Sequence, residues 1–205
     1  MLMATKPNHL KLIKDISEGS KEFAKLRNKR SLIAHPNYLS LSMVLLEWSI
    51  TAAVKHPEEQ VLLISNVNQD KVTWMLEYIA QYDDEFREKL RNMKNLRIFR
   101  QTLDLTDKKS TKRMVSLLRS GAYKNRKIYR NGGTIVLDNI DQMAFPVTPS
   151  KVSSNKAVMD NLESLTKWHK QNSYELVMGT VENPVPRSLK NLVKGYFEMS
   201  AISTT

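Results

Sequence analysis

The chain contains no cysteine and only six glycines among its 205 residues, and both shortages exclude particular kinds of site. Without cysteine there is no disulfide and no thiolate metal centre. The four histidines are scattered and do not have the spacing of metal ligands. No glycine lies between Gly19 and Gly121. That span therefore lacks the residue that lets a backbone loop wrap closely around a phosphate.

Long apolar runs are missing as well. The longest, residues 41–54, is interrupted by Glu47 and is shorter than the ~20 residues that cross a membrane. Residues 1–6 lack the apolar segment of a signal peptide. We therefore expect a cytoplasmic protein with no membrane partner. Hydrophobic residues make up 41% of the chain, which predicts a folded domain with a sizeable core.

Positive charge is abundant and unevenly distributed. The formal net charge is +11, which indicates a polyanionic partner, nucleic acid first and an anionic membrane surface second. A generally basic surface without a specific partner is the alternative. Residues 100–130 hold ten basic side chains and two acids, whereas residues 57–90 hold eight acids and three basic side chains. This distribution predicts a basic side and a more acidic side of the molecule.

Apolar runs of strand length alternate with segments of helical periodicity. The predicted strands are residues 31–34, 61–65, 96–99, 134–137, 174–178 and 196–202. The predicted helices are residues 41–55, 83–93, 106–120, 156–171 and a short helix at 189–193. A further helix is predicted through Trp74, Met75, Tyr78 and Ile79. Asn68 or Asp70 is its predicted cap, and Thr106 is the predicted N-cap of 106–120. This order predicts a three-layer α/β domain with a mostly parallel central sheet. Residues 7–29 predict an N-terminal helix, so we divide the chain into a helical arm, 1–30, and an α/β domain, 31–205.

The strand at 134–137 ends in the sequence Asp138-Asn139-Ile140-Asp141. A carboxylate at such a position can hold magnesium, which makes Asp138 a weak candidate metal ligand. Acids at strand ends are also common as turn caps. We favour this structural role for Asp138, because the chain has no phosphate loop to accompany a magnesium ligand. We likewise interpret the tryptophans as packing residues, since Trp48 and Trp168 lie on apolar helix faces.

The order of elements resembles the RecA-like ATPase core of DnaB-type replicative helicases, over residues 31–202. Residues 31–36 are similar to the strand and the beginning of its phosphate loop, and residues 41–55 to the helix that follows the loop. Residues 61–65 stand where the family has a strand ending in a catalytic Glu. Residues 134–143 resemble the magnesium strand, and residues 174–180 the strand that ends in a polar sensor.

The family's functional motifs are mostly absent. Its phosphate loop has the pattern G-x-x-x-x-G-K-[ST], but the best alignment places Ala34 and Leu39 at the glycines, Ser40 at the lysine and Leu41 at the hydroxyl residue. No lysine occurs from Ser31 to Val54, and the catalytic Glu position falls near Asn66 or Val67. The resemblance therefore implies a degenerate core without catalytic residues, cofactor or metal.

The candidate nucleic-acid contacts come from the resemblance and from composition. By resemblance, two DNA-binding loops correspond to residues 144–155 and 183–189, with Lys151 and nearby Lys156 on the first and Arg187 and nearby Lys190 on the second. Composition adds residues 123–130, which mix four cations with two tyrosines, a composition suited to backbone contact and base stacking. It also adds the basic helix that precedes them. These two segments supply Lys124, Arg126, Lys127 and Arg130, and Lys108, Lys109, Lys112 and Arg113.

We expect a non-enzymatic RecA-like protein that binds nucleic acid, DNA ahead of RNA, in replication or recombination, as in a phage or other mobile element. The alternative is an interaction protein that joins, loads or inhibits an active helicase or recombinase. Its candidate partner surfaces are the acidic stretch 83–88 and the N-terminal helix. For either function we expect a homo- or hetero-oligomer. An NTPase with a divergent pocket is the third hypothesis.

Overall fold

The computed structural model describes residues 30–65, 67, 69–100, 103–113, 116, 133–144, 151–171 and 174–199, together with residues 18 and 21. Six strands form one sheet: β1 (Ser31–Ala34), β2 (Gln60–Ser65), β3 (Leu96–Arg100), β4 (Gly133–Leu137), β5 (Tyr174–Thr180) and β6 (Gly195–Glu198). Their order is β3-β2-β4-β5-β1-β6, and every neighbouring pair is parallel.

The helices connect successive strands and cover both faces of the sheet. They are α1 (Tyr38–Lys55), α2 (Gln69–Tyr82), α3 (Asp84–Asn92), α4 (Ile140–Ala144), α5 (Lys156–Gln171) and α6 (Arg187–Lys190). A 3-10 helix spans Val152–Ser154, and residues 108–113 are also helical. Within the described residues, no helix has both the length and the apolar character needed to cross a membrane.

One face of the sheet is covered by α1, α2 and α3. Helix α1 is buried along most of its length because its sequence is apolar on nearly every side. This layer is held to the sheet by a cluster of buried side chains that includes Leu41, Leu45, Trp48, Met75, Ile79 and Phe86 of the helices and Val61, Leu63, Val136 and Val177 of the strands.

The opposite face is covered by α4, α5, the 3-10 helix and the chain around residues 103–105 and 185–189. Its buried cluster includes Leu103, Leu105, Met143, Val152, Val158, Leu162, Val185 and Leu189, packed against Leu62, Ile64, Ile135, Leu137, Leu176 and Met178 of the strands. Strands β2 and β4 are continuous apolar runs because both of their faces are buried. The predicted three-layer α/β architecture with a parallel sheet is confirmed.

Several predicted boundaries are wrong by a few residues. Helix α1 begins at Tyr38, not at residue 41, because Asn37 caps it. The helical segment after β3 is capped by Asp107, whose carboxylate accepts the amides of Lys109 and Ser110 at 2.9 and 3.1 Å, and not by Thr106. Helix α6 begins at Arg187, before the predicted 189, and β6 ends at Glu198, before the predicted 202. Of the predicted N-terminal helix, only Glu18 and Lys21 are described, and both are helical.

Candidate nucleic-acid interface

The connection from β1 to α1 is short and closed by its own side chains. Only residues 35–37 separate the strand from the helix. The Asn37 side chain accepts hydrogen bonds from the amides of Leu39 and Ser40, at 2.9 and 3.1 Å. The amide of Leu41 donates to the Asn37 carbonyl at 3.1 Å. The first amides of α1, which would hold a phosphate in a P-loop, are therefore satisfied within the chain.

The Asp138 carboxyl lies in the protein interior beside the end of β2. Asp138 is 3% exposed, and one of its carboxyl oxygens accepts a hydrogen bond from the Ser65 hydroxyl at 2.6 Å. The same hydroxyl accepts the amide of Val67 at 3.1 Å. Burial raises the pKa of Asp138, and the Ser65 hydrogen bond opposes part of that rise. This is the environment of a structural carboxyl that favours its protonated form.

Strand β5 and helix α1 fit closely around the backbone of Asp138. A Cβ atom added to Gly179 of β5 would overlap the Asp138 carbonyl oxygen and lie 2.6 Å from Cδ1 of Leu45. Only glycine leaves room for this approach, since any side chain would displace backbone. Backbone and side-chain atoms of β5 and α1 therefore pack tightly against the Asp138 main chain.

Asp141 ties α4 to the end of β5. It is 8% exposed, and one carboxyl oxygen accepts the Thr180 hydroxyl and the Val181 amide, both at 2.8 Å. Burial raises the pKa of this carboxyl too. The contacts fit the interpretation of the strand-end acids as structural groups.

Four of the predicted contact residues lie on the helical segment 108–113, which we call the basic segment: Lys108, Lys109, Lys112 and Arg113. All four are exposed, and within the described part of the chain none has an ion-pair partner. The two nearby acids make hydrogen bonds within their own stretch of chain. Asp107 caps the segment, and Asp104 accepts the amide and hydroxyl of Thr106 at 2.8 and 2.5 Å. The positive charge of the segment thus faces solvent.

Two hydrogen bonds hold Leu105, three residues before the basic segment, to α4 and α5 at the carboxyl edge of the sheet, the edge where the parallel strands end. The amide of Leu105 donates to the carbonyl of Met143, in α4, at 2.8 Å. The side-chain amide of Asn161, in α5, donates to the Leu105 carbonyl at 2.8 Å. In parallel α/β sheets this edge is where ligands bind.

Lys151 and Lys156 flank the 3-10 helix at the same edge. The amide and hydroxyl of Ser153 donate to the Glu182 carboxylate, just beyond β5, at 2.9 and 2.8 Å. Both lysines are exposed. Lys156 is the first residue of α5, where the helix dipole disfavours a cation, so an anion bound nearby would relieve that repulsion.

Arg187 and Lys190 lie one turn apart on α6, and they differ in their surroundings. Arg187 is exposed, whereas Lys190 has its ammonium 3.3 Å from the Glu198 carboxylate and 4.2 Å from the centre of the Tyr196 ring. Lys190 is therefore engaged within the protein, and Arg187 is the freer cation of the pair.

Three of the four predicted basic groups lie on the same side of the sheet. The chain just before the basic segment, the 151–156 stretch and α6 all pack on one buried cluster. Helices α2 and α3 lie on the other face, where α2 carries two acids and one basic residue and α3 carries three of each. We call the exposed cations of this layer the basic surface: Lys108, Lys109, Lys112, Arg113, Lys151, Lys156 and Arg187. The fourth predicted group, Lys124, Arg126, Lys127 and Arg130, lies outside the described residues.

An aromatic ladder on α2 was missed by the sequence interpretation. The ring centres of Trp74 and Tyr78 are 5.3 Å apart, and those of Tyr78 and Tyr82 are 5.4 Å apart. Trp74 is 45% exposed and Tyr82 is 37% exposed. Trp74 is therefore not a packing residue, whereas Trp48 is buried as predicted and the Trp168 side chain lies outside the described residues. The four-residue spacing of Trp74, Tyr78 and Tyr82 in the sequence could have revealed this ladder.

A second missed cluster lies at the opposite, amino edge. One ligand atom from each of His56, Glu58 and Glu59 falls within 4.8 Å of the others, on the turn before β2. The Asn95 side-chain amide donates to the carbonyls of His56 and Glu59 and holds this turn. The side chains of His56 and Glu58 are partly exposed and lie 3.9 Å apart, as in an ordinary surface ion pair.

Comparison of the chain with models of known protein families and with curated protein sequences finds no match.

Proposed function

We propose that this protein binds nucleic acid, DNA in preference to RNA, through the basic surface and without ATP hydrolysis. The observation that carries the proposal is the exposed, unpaired cation cluster of the basic segment, on the same side of the sheet as Lys151, Lys156 and Arg187. Phosphate contacts by such side chains supply affinity without reading sequence. A role in replication or recombination rests on the resemblance to DnaB-type helicases.

Two features of the carboxyl edge support the absence of ATP hydrolysis. The first amides of α1 bond to Asn37 instead of a phosphate. The Asp138 carboxyl is buried, bonded to Ser65 and shifted toward its protonated form, whereas a magnesium ligand has to be ionised and accessible. Nucleotide binding seen by calorimetry and abolished by Asp138→Ala would support a divergent NTPase instead.

Charge removal from the basic segment tests the proposed interface. We expect the triple variant Lys108→Gln, Lys109→Gln, Lys112→Gln to bind labelled DNA more weakly than the unmodified protein, as measured by fluorescence anisotropy. Removal of one lysine–phosphate interaction should lower the log–log salt slope on duplex by about 0.9, so the triple variant should lower it by about 2.7.

A matched control exists at the amino edge of the sheet. Lys55 ends α1, and Lys94 and Lys194 lie just before β3 and β6; all three are exposed. The triple variant Lys55→Gln, Lys94→Gln, Lys194→Gln changes the net charge by the same amount, so we expect it to retain nearly full affinity. Equal losses of affinity in the two variants would mean that only overall charge matters, and the assigned surface would be wrong.

The aromatic ladder favours a second candidate function, an interaction protein. Trp74, Tyr78 and Tyr82 lie beside the acidic start of α3, and aromatic side chains are enriched at the centres of protein interfaces. This function would use the face of α2 and α3 and is compatible with DNA binding on the other.

Substitution on α2 tests that second function. If the ladder contacts a DnaB-type helicase, Trp74→Ala and Tyr82→Ala should each weaken binding of the purified helicase about tenfold or more in a biolayer assay. Thr73→Ala, an exposed position of the same helix, is the control. Helicase binding that survives the double ladder variant would exclude the ladder as the contact.

A further inference from the structure

Tyr196 is exposed on the edge strand β6. It is 47% exposed, the largest value among the big apolar side chains of the described residues. Strand β6 pairs with β1 alone, and Tyr196 lies beside Leu32 in that pairing. Its neighbour Phe197 packs into the core on the other face. The tyrosine ring therefore stands on the open side of the sheet edge.

The ring is held in place by the charged residues around it. The Lys190 ammonium lies 4.2 Å from the ring centre, a cation–π distance, and covers one face of the ring. The Glu198 carboxylate holds Lys190 at 3.3 Å and also accepts the amide of Val185 at 3.1 Å. Lys190, itself held by Glu198, thus restrains the Tyr196 ring before any ligand arrives, which reduces the entropy cost of binding.

A second cation lies on the helix whose Lys190 contacts this ring. Arg187 and Lys190 are three residues apart on α6 and therefore share a helix face. Arg187 is exposed and, among the described residues, has no ion-pair partner. A fixed aromatic face with an adjacent free cation is the combination by which proteins bind single strands, one base stacking while a phosphate is neutralised.

We propose that Tyr196 is a stacking platform for a base of single-stranded nucleic acid, with Arg187 contacting the adjoining phosphate. The inference rests on the proposed nucleic-acid-binding function and adds strand preference to it. A base in a duplex has both faces covered by its neighbours, so the platform selects single strands, whereas the basic segment contacts either form.

Substitution of the ring tests the platform. The test compares the unmodified protein with Tyr196→Ala and Tyr196→Phe. For each protein, affinity is measured for a labelled thymidine oligonucleotide and for a duplex of equal length. Tyr196→Ala should lose about 5- to 150-fold in single-strand affinity, and Tyr196→Phe should lose almost none. Duplex affinity should change less than about twofold in both variants, since no base of a duplex stacks on the ring.

A covalent readout checks the same interaction. An oligonucleotide carrying 5-iodouracil, irradiated in complex with the unmodified protein, should cross-link to Tyr196, as identified by mass spectrometry of the digest. Thermal unfolding of each variant confirms that the fold is retained.

The outcomes separate this inference from the function on which it rests. If the unmodified protein binds neither strand form, the proposed function fails and the platform fails with it. If it binds DNA but Tyr196→Ala loses nothing, or loses single-strand and duplex affinity equally, the platform is wrong while the proposed function stands. A loss in Tyr196→Phe as large as in Tyr196→Ala would assign the effect to the hydroxyl and also overturn stacking.

Discussion

The acidic side chains Asp138 and Asp141 follow β4, and both are buried and hydrogen-bonded within the protein. Burial raises the pKa of each above its ordinary value of 3.8. A raised pKa in the folded state means that the fold gains stability while the acid is protonated. That gain is complete below the unfolded value and is lost as the pH rises through the folded value. At neutral pH an ionised Asp138 would therefore cost stability.

Replacement of Asp138 by its neutral isostere should remove this cost. Asp138→Asn keeps an oxygen that can accept the Ser65 hydrogen bond but cannot ionise. We expect a higher free energy of unfolding than the unmodified protein near neutral pH, and a smaller decline as the pH rises above 3.8, measured by denaturant unfolding at several pH values.

The exposed Asp160 of α5 provides the control, since Asp160→Asn leaves the interior unchanged. A less stable Asp138→Asn protein with the original pH dependence would show that the Asp138 charge stabilises the fold, contrary to our account.

At the scale of single elements, the start of α1 is set by one side chain. Asn37 accepts two of the helix's first amides, so Asn37→Ala should lower the free energy of unfolding by about 1 kcal/mol. Asn37→Asp keeps an accepting oxygen and should be nearly neutral, since a negative charge also suits a helix N-terminus. Chemical denaturation of the three proteins measures both effects. An unchanged Asn37→Ala protein would contradict the proposed cap.

Most elements follow directly from the sequence because their signals are local. The apolar runs of β2 and β4 predict buried parallel strands, and α5 is predicted with its observed ends. Caps are harder to predict, because Asn and Asp suit turns and helix starts equally well. The sequence pattern therefore predicts Thr106 as a cap and a start of α1 at residue 41, whereas the structure uses Asp107 and Asn37 as caps.

The orientation of α2 depends on tertiary packing. Trp74 and Met75 are adjacent, as are Tyr78 and Ile79, so the sequence spacing fits either pair facing the core. In the structure Met75 and Ile79 face the core and the aromatics form the outer ladder.

The candidate interface also depends partly on the local sequence and partly on tertiary packing. Its cations can be found by counting charge, but their shared layer depends on contacts between distant segments, such as Leu105 with Met143 and Asn161.

At the scale of the whole molecule, the two sides of the sheet present different side chains. The basic surface lies on the layer of α4, α5 and α6, and the aromatic ladder lies with α2 and α3 on the other. A protein of net charge +11 with this arrangement can present one side to a polyanion and leave the other for a protein partner. Both candidate functions can therefore coexist on one chain.

The most direct test of the central claim is equilibrium binding of labelled single-stranded and duplex DNA over a range of salt concentrations, with and without ATP and magnesium. We predict tight binding at low salt, a steep linear fall of log affinity with log salt, and identical curves in the presence and absence of ATP. No binding at low salt, or binding that requires ATP, would contradict the account.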